Sequence, residues 1–303
     1  VLMRTQRLVA GATALLVGLV LTGCATTTPT AVANHEAKLE YHADTGAELL
    51  GDSLVEGLAG VENFSATAYT HGKASTGATL STQHETTVVG ASYVTKESTA
   101  EPGTSIDEVH MAGSGFTYYL FGSAYTTVVA TPWARLPMGD LDRANDPQRT
   151  CILGTVIFMC NLVEAWQLSK ESNGEELPEK LEVSADGSKH FTSAVTFDSL
   201  EAAGLYTLGD DLRSQLSDDE LGTLLPLHVW VGTDGIIQKI EVNGTMDAAS
   251  LDVEVQFGFE ITGTPTADDL PDDPASLAPQ YVTNVTADQA SAFWDAIGNA
   301  RTG

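Results

Sequence analysis

The chain has few basic residues for its size. Its 303 residues include 14 Lys and Arg against 41 Asp and Glu, which gives a formal net charge of −27 at pH 7. Binding to phosphate groups needs clustered cations, so the composition excludes nucleic acid as an expected partner. Electrostatic binding to anionic lipid headgroups is disfavoured for the same reason. Any attachment to a membrane must therefore come from another source.

The chain also lacks an apolar run long enough to cross a membrane. The apolar run near the N-terminus extends from Leu8 to Leu21 without a charge and follows Arg4 and Arg7. A membrane-spanning helix needs about 20 apolar residues. A basic start followed by a shorter apolar run is instead typical of a secretory signal.

The signal ends in a short motif around the first cysteine. The residues Leu21-Thr22-Gly23-Cys24 resemble a bacterial lipobox, in which the cysteine receives a diacylglyceryl group and becomes the first residue. We expect residues 1–23 to be a lipoprotein signal peptide and residues 24–35 a flexible tether. Two acyl chains give durable anchoring, so we expect a lipid-anchored protein on the extracytoplasmic face of the cell membrane. The alternative is an ordinary signal peptide with a coincidental cysteine.

Cysteine is otherwise scarce, because only Cys151 and Cys160 follow Cys24. A lone pair in an oxidising compartment usually forms a disulfide. On an unbroken helix, nine residues would separate the Cα atoms by roughly 13 Å, whereas a disulfide needs about 4.4–6.8 Å. A bridge therefore requires an interruption of any helix between the two residues. Two buried free thiols are the alternative.

The remaining chain alternates between helical and strand patterns. A helix is predicted at residues 36–60, where apolar residues recur every three or four positions. Next come segments rich in Thr, Val, Tyr and Ser, separated by glycine, which predict antiparallel strands. These segments are residues 62–71, 77–90, 91–98, 104–112, 115–122 and 124–135.

An apolar segment then predicts a buried or cavity-lining helix at residues 152–168. Further strands are predicted at 179–185, 189–197, 226–232, 236–246 and 249–262, and helices at 198–204 and 209–221. Asp234-Gly235 is a strong hairpin signal. Ser217 and Glu220 have the spacing of a capping box, and Thr286 is suited to cap a terminal helix.

Two motifs suggest chemistry without supplying a complete site. Gly51-Asp52-Ser53-Leu54 matches the signature of a lipase and esterase superfamily, but it stands inside a helical pattern instead of after a buried strand. The acidic residues from Asp140 to Asp146 lack the glycine and glutamate of an EF-hand loop. The histidines show no zinc-ligand spacing. We therefore predict no catalytic residue, no metal and no cofactor.

The order of the predicted helices and strands resembles that of a known group of proteins. The local similarities are the opening helix that runs into Val61–Tyr69, the aromatic strand pair Phe116–Trp133, the strand pair Leu227–Ile240 around its Asp-Gly turn, and Val255–Ile261. Over most of residues 36–280 this pattern resembles the actinobacterial LppX/LprG-like lipoproteins and, more distantly, LolA and RseB. The chain departs from that pattern in its Cys151–Cys160 pair and its terminal helix.

The resemblance implies an α+β fold, with a curved antiparallel half-barrel sheet covered by helices on its concave face. It implies a single domain over residues 36–303 that is not an enzyme and that binds the acyl chains of a lipid or lipoglycan for envelope lipid trafficking. The alternative is a regulatory or sensor lipoprotein that binds an envelope protein partner, as in the RseB branch. Alternation along strands and the helical repeat select the expected cavity lining, which is Phe116, Tyr118, Leu120, Val129, Val156, Met159 and Val163.

Overall fold

The computed structural model describes residues 46–138, 147–209, 213–247 and 252–302. The predicted signal, Cys24, the tether and the acidic loop at 140–146 lie outside the described residues. By its internal contacts the chain divides into a unit at Val1–Asn34 and a second unit at His35–Gly303, and the described residues all belong to the second.

The described part of the second unit contains one sheet of 12 strands. Its order is β12-β6-β5-β4-β3-β2-β1-β11-β10-β9-β8-β7, so β12 and β7 are the edges. The strands are β1 Asn63–Ala74, β2 Thr79–Val89, β3 Ser92–Thr99, β4 Ile106–His110, β5 Phe116–Phe121, β6 Trp133–Pro137, β7 Lys180–Val183, β8 Lys189–Thr196, β9 Leu224–Val231, β10 Ile237–Asp247, β11 Asp252–Gly263 and β12 Val282–Asn284.

Five α-helices are given bounds in the described residues. They are α1 Asp52–Ala59, α2 Val156–Asn173, α3 Phe197–Ala202, α4 Asp218–Leu221 and α5 Ala290–Thr302. Residues 46–50 are also helical. Three of these five helices have eight residues or fewer, so strands dominate the described structure.

The predicted fold class is wrong. In place of an antiparallel half-barrel covered by helices, the structure has a large open sheet in which β12 runs parallel to β6. The long helix α2 contacts strands β8, β11, β1 and β10, and the short α3 and α4 contribute little cover. The sequence pattern could not show this, because the parallel strand β12 is three residues long and lies in a Pro- and Asp-rich segment.

The strand register defines two faces of the sheet. Phe64, Val88, Tyr93, His110 and Thr117 are consecutive partners across β1 to β5. Paired residues share a face and successive residues alternate between faces. We call this face the α2 face, because Phe64 and Val88 pack in the same apolar cluster as α2. The other face, which carries Tyr118 and its partners, is the opposite face.

The start of α2 is fixed to the sheet. A disulfide joins Cys151 and Cys160, with Cα atoms 5.8 Å apart. This short distance is reached because α2 begins only at Val156, after a turn at Gly154 with φ +25°. A Cβ at Gly154 would lie 2.0 Å from Thr95 Oγ1, so the backbone here contacts β3 directly.

The helix is also tied to the sheet by hydrogen bonds. The Thr155 N–H donates to Thr86 Oγ1 at 3.0 Å, and the hydroxyls of Thr86 and Thr95 bond to each other at 2.8 Å. Further along α2, Trp166 Nε1 donates to Ser193 Oγ at 3.0 Å. These buried polar contacts fix the position of α2 on strands β2, β3 and β8.

Loss of the disulfide should destabilise the domain. We expect the double variant Cys151→Ser/Cys160→Ser to lower the free energy of unfolding by about 2–3 kcal/mol, because the bridge closes a short loop. Urea unfolding under non-reducing conditions measures this loss. Equal stability of variant and wild type, or alkylation of both thiols in the folded wild type, would contradict the bridge.

Candidate functional site

Three of the seven predicted cavity residues lie in a packed core. Val156, Met159 and Val163 are buried on α2, in a cluster that includes Trp166 and Phe191. Val156 and Met159 are 0% exposed. These residues hold α2 against the sheet.

The other four lie elsewhere. Phe116 and Tyr118 belong to a small apolar cluster on the opposite face, and Leu120 shares that face by alternation along β5. Val129 lies in a third cluster, with Tyr125 and Phe121. The structure therefore does not bring the seven residues into one site.

A different group of side chains meets on the α2 face. Tyr93, Glu108 and Tyr119 come from the neighbouring strands β3, β4 and β5. Tyr93 Oη donates to Glu108 Oε1 at 2.5 Å, and Tyr119 Oη donates to the same oxygen at 3.3 Å. Among the described residues, Glu108 Oε2 accepts no hydrogen bond and Glu108 has no ion pair. We call these three residues the Glu108 site.

The Glu108 site is electrostatically unusual. Burial raises the pKa of Glu108, and the two tyrosine hydrogen bonds oppose this rise. Burial, together with the neighbouring carboxyl, also raises the pKa of both Tyr93 and Tyr119, so the phenols remain protonated donors. Glu108 as a residue is nevertheless partly exposed, and its Oε2 is not among the fully buried side-chain atoms that lack a hydrogen bond. The site thus combines a reachable carboxyl oxygen with surroundings that stabilise its charge poorly.

Aromatic side chains from the terminal helix stand beside this site. The rings of Tyr119 and Trp294 meet edge to face, with centroids 4.9 Å apart. Phe121 and Phe293 also meet edge to face, at 5.8 Å, and Phe293 lies 5.4 Å from Trp294. Phe293 and Trp294 are only partly buried. We call this group, Tyr119, Phe121, Phe293 and Trp294, the α5 seam.

Sequence reasoning missed both the Glu108 site and the α5 seam. The alternation along residues 106–110 places Glu108 on the same face as Ile106 and His110, and this pattern can be recognised in the sequence. An acidic residue in a strand usually marks a solvated face. Only the pairing of β4 with β3 and β5 shows that tyrosines flank it.

The esterase-like tetrapeptide Gly51–Leu54 does not follow a strand. Residues 46–50 are helical and Ser53 lies within α1. The sequence also holds Asp107-x-x-His110, which has the spacing used for the base in that superfamily. On β4 these two residues point to opposite faces. Asp107 accepts from the Glu97 N–H and His110 Nδ1 bonds to the Phe116 carbonyl, so the two are not paired with each other.

The opposite face carries a histidine pair. His190 Nε2 and His228 Nδ1 are 3.1 Å apart, and the ring centroids are 5.3 Å apart. The two nitrogens therefore lie between the centroids, and the rings meet end to end in an N–H···N hydrogen bond. Trp230 stacks on His190 at 4.7 Å, and the Glu182 carboxylate lies 3.6 Å from His190 Nδ1.

This pair should make stability depend on pH. Burial, followed by the charge of His190, lowers the pKa of His228. The unfolded state then binds the proton more tightly than the folded state, so stability is full above about pH 6.5 and falls as the pH drops below it. We expect the urea midpoint to decrease from pH 7.5 to pH 5, and to decrease less in His228→Asn. An identical pH dependence in that variant would contradict this assignment.

The described residues contain no group of three or more His, Cys, Asp or Glu side chains placed to hold a metal ion. Within the same ranges, no helix combines the length and apolar character that a membrane span requires.

Comparison with known proteins gives little further information. No model of a known protein family matches the sequence, and no curated protein is similar to it. A DUF1329 family protein from Desulfovibrio piger is 10% identical, with a TM-score of 0.24, over 78% of this chain and 99% of that one. A LolA superfamily protein from Nitrosomonas europaea is 10% identical, with a TM-score of 0.23, over 74% of this chain and 99% of that one. At these TM-scores neither likeness carries an argument about this chain.

Proposed function

We propose that this chain is an extracytoplasmic, lipid-anchored protein that binds the acyl chains of a lipid or lipoglycan and catalyses no reaction. The observation that carries the proposal is the α5 seam, where large aromatic side chains remain partly exposed between a terminal helix and the sheet. Apolar surface that stays accessible in a folded protein is typical of a binding site. The lipobox-like residues before Cys24 supply the membrane context.

The acyl chains are assigned to the α5 seam and not to the space under α2. The residues of the α2 cluster are buried, and a disulfide and hydrogen bonds hold that helix in place. The helix α5 instead packs through Phe293, Trp294 and Ile297 against a smaller cluster. Helix α5 has 13 residues against the 18 of α2, and its aromatic side chains are only partly buried, so a ligand can displace it at lower cost than α2.

Native mass spectrometry of protein extracted from its own membrane tests the proposal. We expect a co-purifying lipid in the wild type and reduced lipid occupancy in Trp294→Ser, because this change removes an aromatic wall of the α5 seam. Tyr281→Ser is the control, since Tyr281 is 52% exposed and is not part of the seam. Protein without bound lipid would contradict the proposal. A bound protein in its place would favour the alternative of a sensor lipoprotein.

The anchor itself makes a separate prediction. We expect Cys24→Ser to abolish lipidation, so that the protein is left unprocessed or leaves the membrane fraction. Fractionation and intact-mass measurement check this, with Ala25→Ser as the matched control that keeps the cysteine. A Cys24→Ser protein of unchanged size that stays in the membrane fraction would contradict the lipid anchor.

A further inference from the structure

We propose that the Glu108 site binds a cationic ammonium headgroup, so that the preferred ligand is an amphiphile with an acyl tail in the α5 seam and a positive head at Glu108. This inference rests on the proposed function and specifies its ligand. Its basis is the unpaired carboxyl oxygen of Glu108 beside the aromatic rings of the seam.

The hydrogen bonds of Glu108 leave one oxygen available to a ligand. Both tyrosine hydroxyls donate to Oε1, which holds the carboxyl group in one orientation. Within the described residues no donor reaches Oε2, and no Lys, Arg or His forms an ion pair with Glu108. A partly buried carboxylate without a counter-ion is costly. A bound cation would remove that cost.

The neighbouring rings favour the same ligand class. Tyr119 joins the two parts, because its hydroxyl bonds Glu108 while its ring contacts Trp294. Faces of Trp and Tyr attract ammonium groups, and aromatic cages recognise quaternary ammonium ligands. The formal net charge of −27 adds a long-range preference for cations over anions.

The titratable groups His84, His110 and Glu97 on this face are already engaged, and the ring centroid of His84 lies 4.9 Å from that of Phe158. His110 stacks on the Tyr93 ring and bonds the Phe116 carbonyl through Nδ1. Glu97 accepts from the Ile106 N–H through Oε2. Glu108 is therefore the group whose charge a ligand at this site would change. Because burial raises its pKa, the carboxyl gains its charge at higher pH than an exposed glutamate, so cation binding should strengthen as the pH rises.

Calorimetric titration with two amphiphiles of equal tail length tests the inference. We expect the full chain to bind decyltrimethylammonium about tenfold more tightly than neutral decyl glucoside at pH 8. The preference should fall at pH 5 and should disappear in Glu108→Gln. Glu260→Gln is the matched control, because it removes one carboxylate from the opposite face, where its side chain is 48% exposed.

Each outcome separates the two proposals. If neither amphiphile binds, the proposed function fails. If both bind with equal affinity in the wild type, acyl binding stands and the ammonium site is wrong. A preference that Glu108→Gln and Glu260→Gln reduce to the same small extent would come from net charge and would also overturn the inference. Should Glu108→Gln fail to fold, the wild-type comparison at pH 5 and pH 8 decides, because an unchanged preference contradicts a role for Glu108.

Discussion

Val156→Asp should unfold the domain or lower its free energy of unfolding by about 4 kcal/mol or more. Val156 is 0% exposed at the start of α2 and packs inside the largest apolar cluster. An aspartate there would carry a charge without a partner into close-packed surroundings. The protein must then protonate the carboxyl or distort the contact between α2 and the sheet.

The next residue supplies a matched control. Ile157 lies on the same helix and is 43% exposed, so we expect Ile157→Asp to change stability by only about 0.5 kcal/mol. Urea unfolding of both variants measures the difference. If Val156→Asp folds with near wild-type stability, water reaches this position, and the space under α2 is a cavity and not a packed core.

Gly154→Ala should be the second most damaging of the proposed changes. An added Cβ would lie 2.0 Å from Thr95 Oγ1 and 2.5 Å from Thr86 Oγ1, on side chains that are themselves buried. Either the turn or the two threonines must move, and the bond from the Thr155 N–H would be lost with them. We expect a loss of about 2–3 kcal/mol from overpacking, in addition to backbone strain.

The variant Gly77→Ala separates the cost of backbone strain from the cost of overpacking. Gly77 also has a positive φ, +92°, but nothing lies within 4 Å of its added Cβ. It therefore reports the backbone strain alone, which is about 1–2 kcal/mol. Thermal unfolding of the two variants gives the contribution of close contact by difference. Equal losses would show that Gly154 is needed for its backbone conformation and not for contact with the sheet.

Local signals predicted several elements well. The Asp234-Gly235 signal corresponds to the β9–β10 hairpin, and Gly235 has φ +80°. The Ser217–Glu220 capping box is present, but it marks the beginning of α4 and not the last turn of a helix at 209–221. A capping box satisfies N–H groups at the start of a helix, so this correction was available from the sequence.

The predicted strand at 124–135 failed because of tertiary contacts. Tyr125 is buried in a short 3₁₀ turn, and its hydroxyl donates to the Thr104 carbonyl at 2.7 Å. Strand β6 begins only at Trp133, after Pro132. The Thr- and Val-rich composition favoured a strand, and a contact from 21 residues earlier in the chain overrode it.

The site was harder to predict than the elements. Alternation correctly grouped Phe116, Tyr118 and Leu120 on one face, yet both faces of β5 carry buried apolar side chains. The pattern could not tell which face meets α2. The Glu108 site needs residues from three strands, and the α5 seam adds a helix that begins 169 residues after Phe121 (290 − 121), so neither leaves a compact motif.

Photo-crosslinking with a lipid that carries a diazirine near the end of its acyl chain tests the central claim most directly. Residue-level mass spectrometry should find the label on Tyr119, Phe121, Phe293 and Trp294, and Trp294→Ser should reduce it. Label on Tyr118 and its neighbours on the opposite face, or no label above that of an unrelated protein, would contradict acyl binding in the α5 seam.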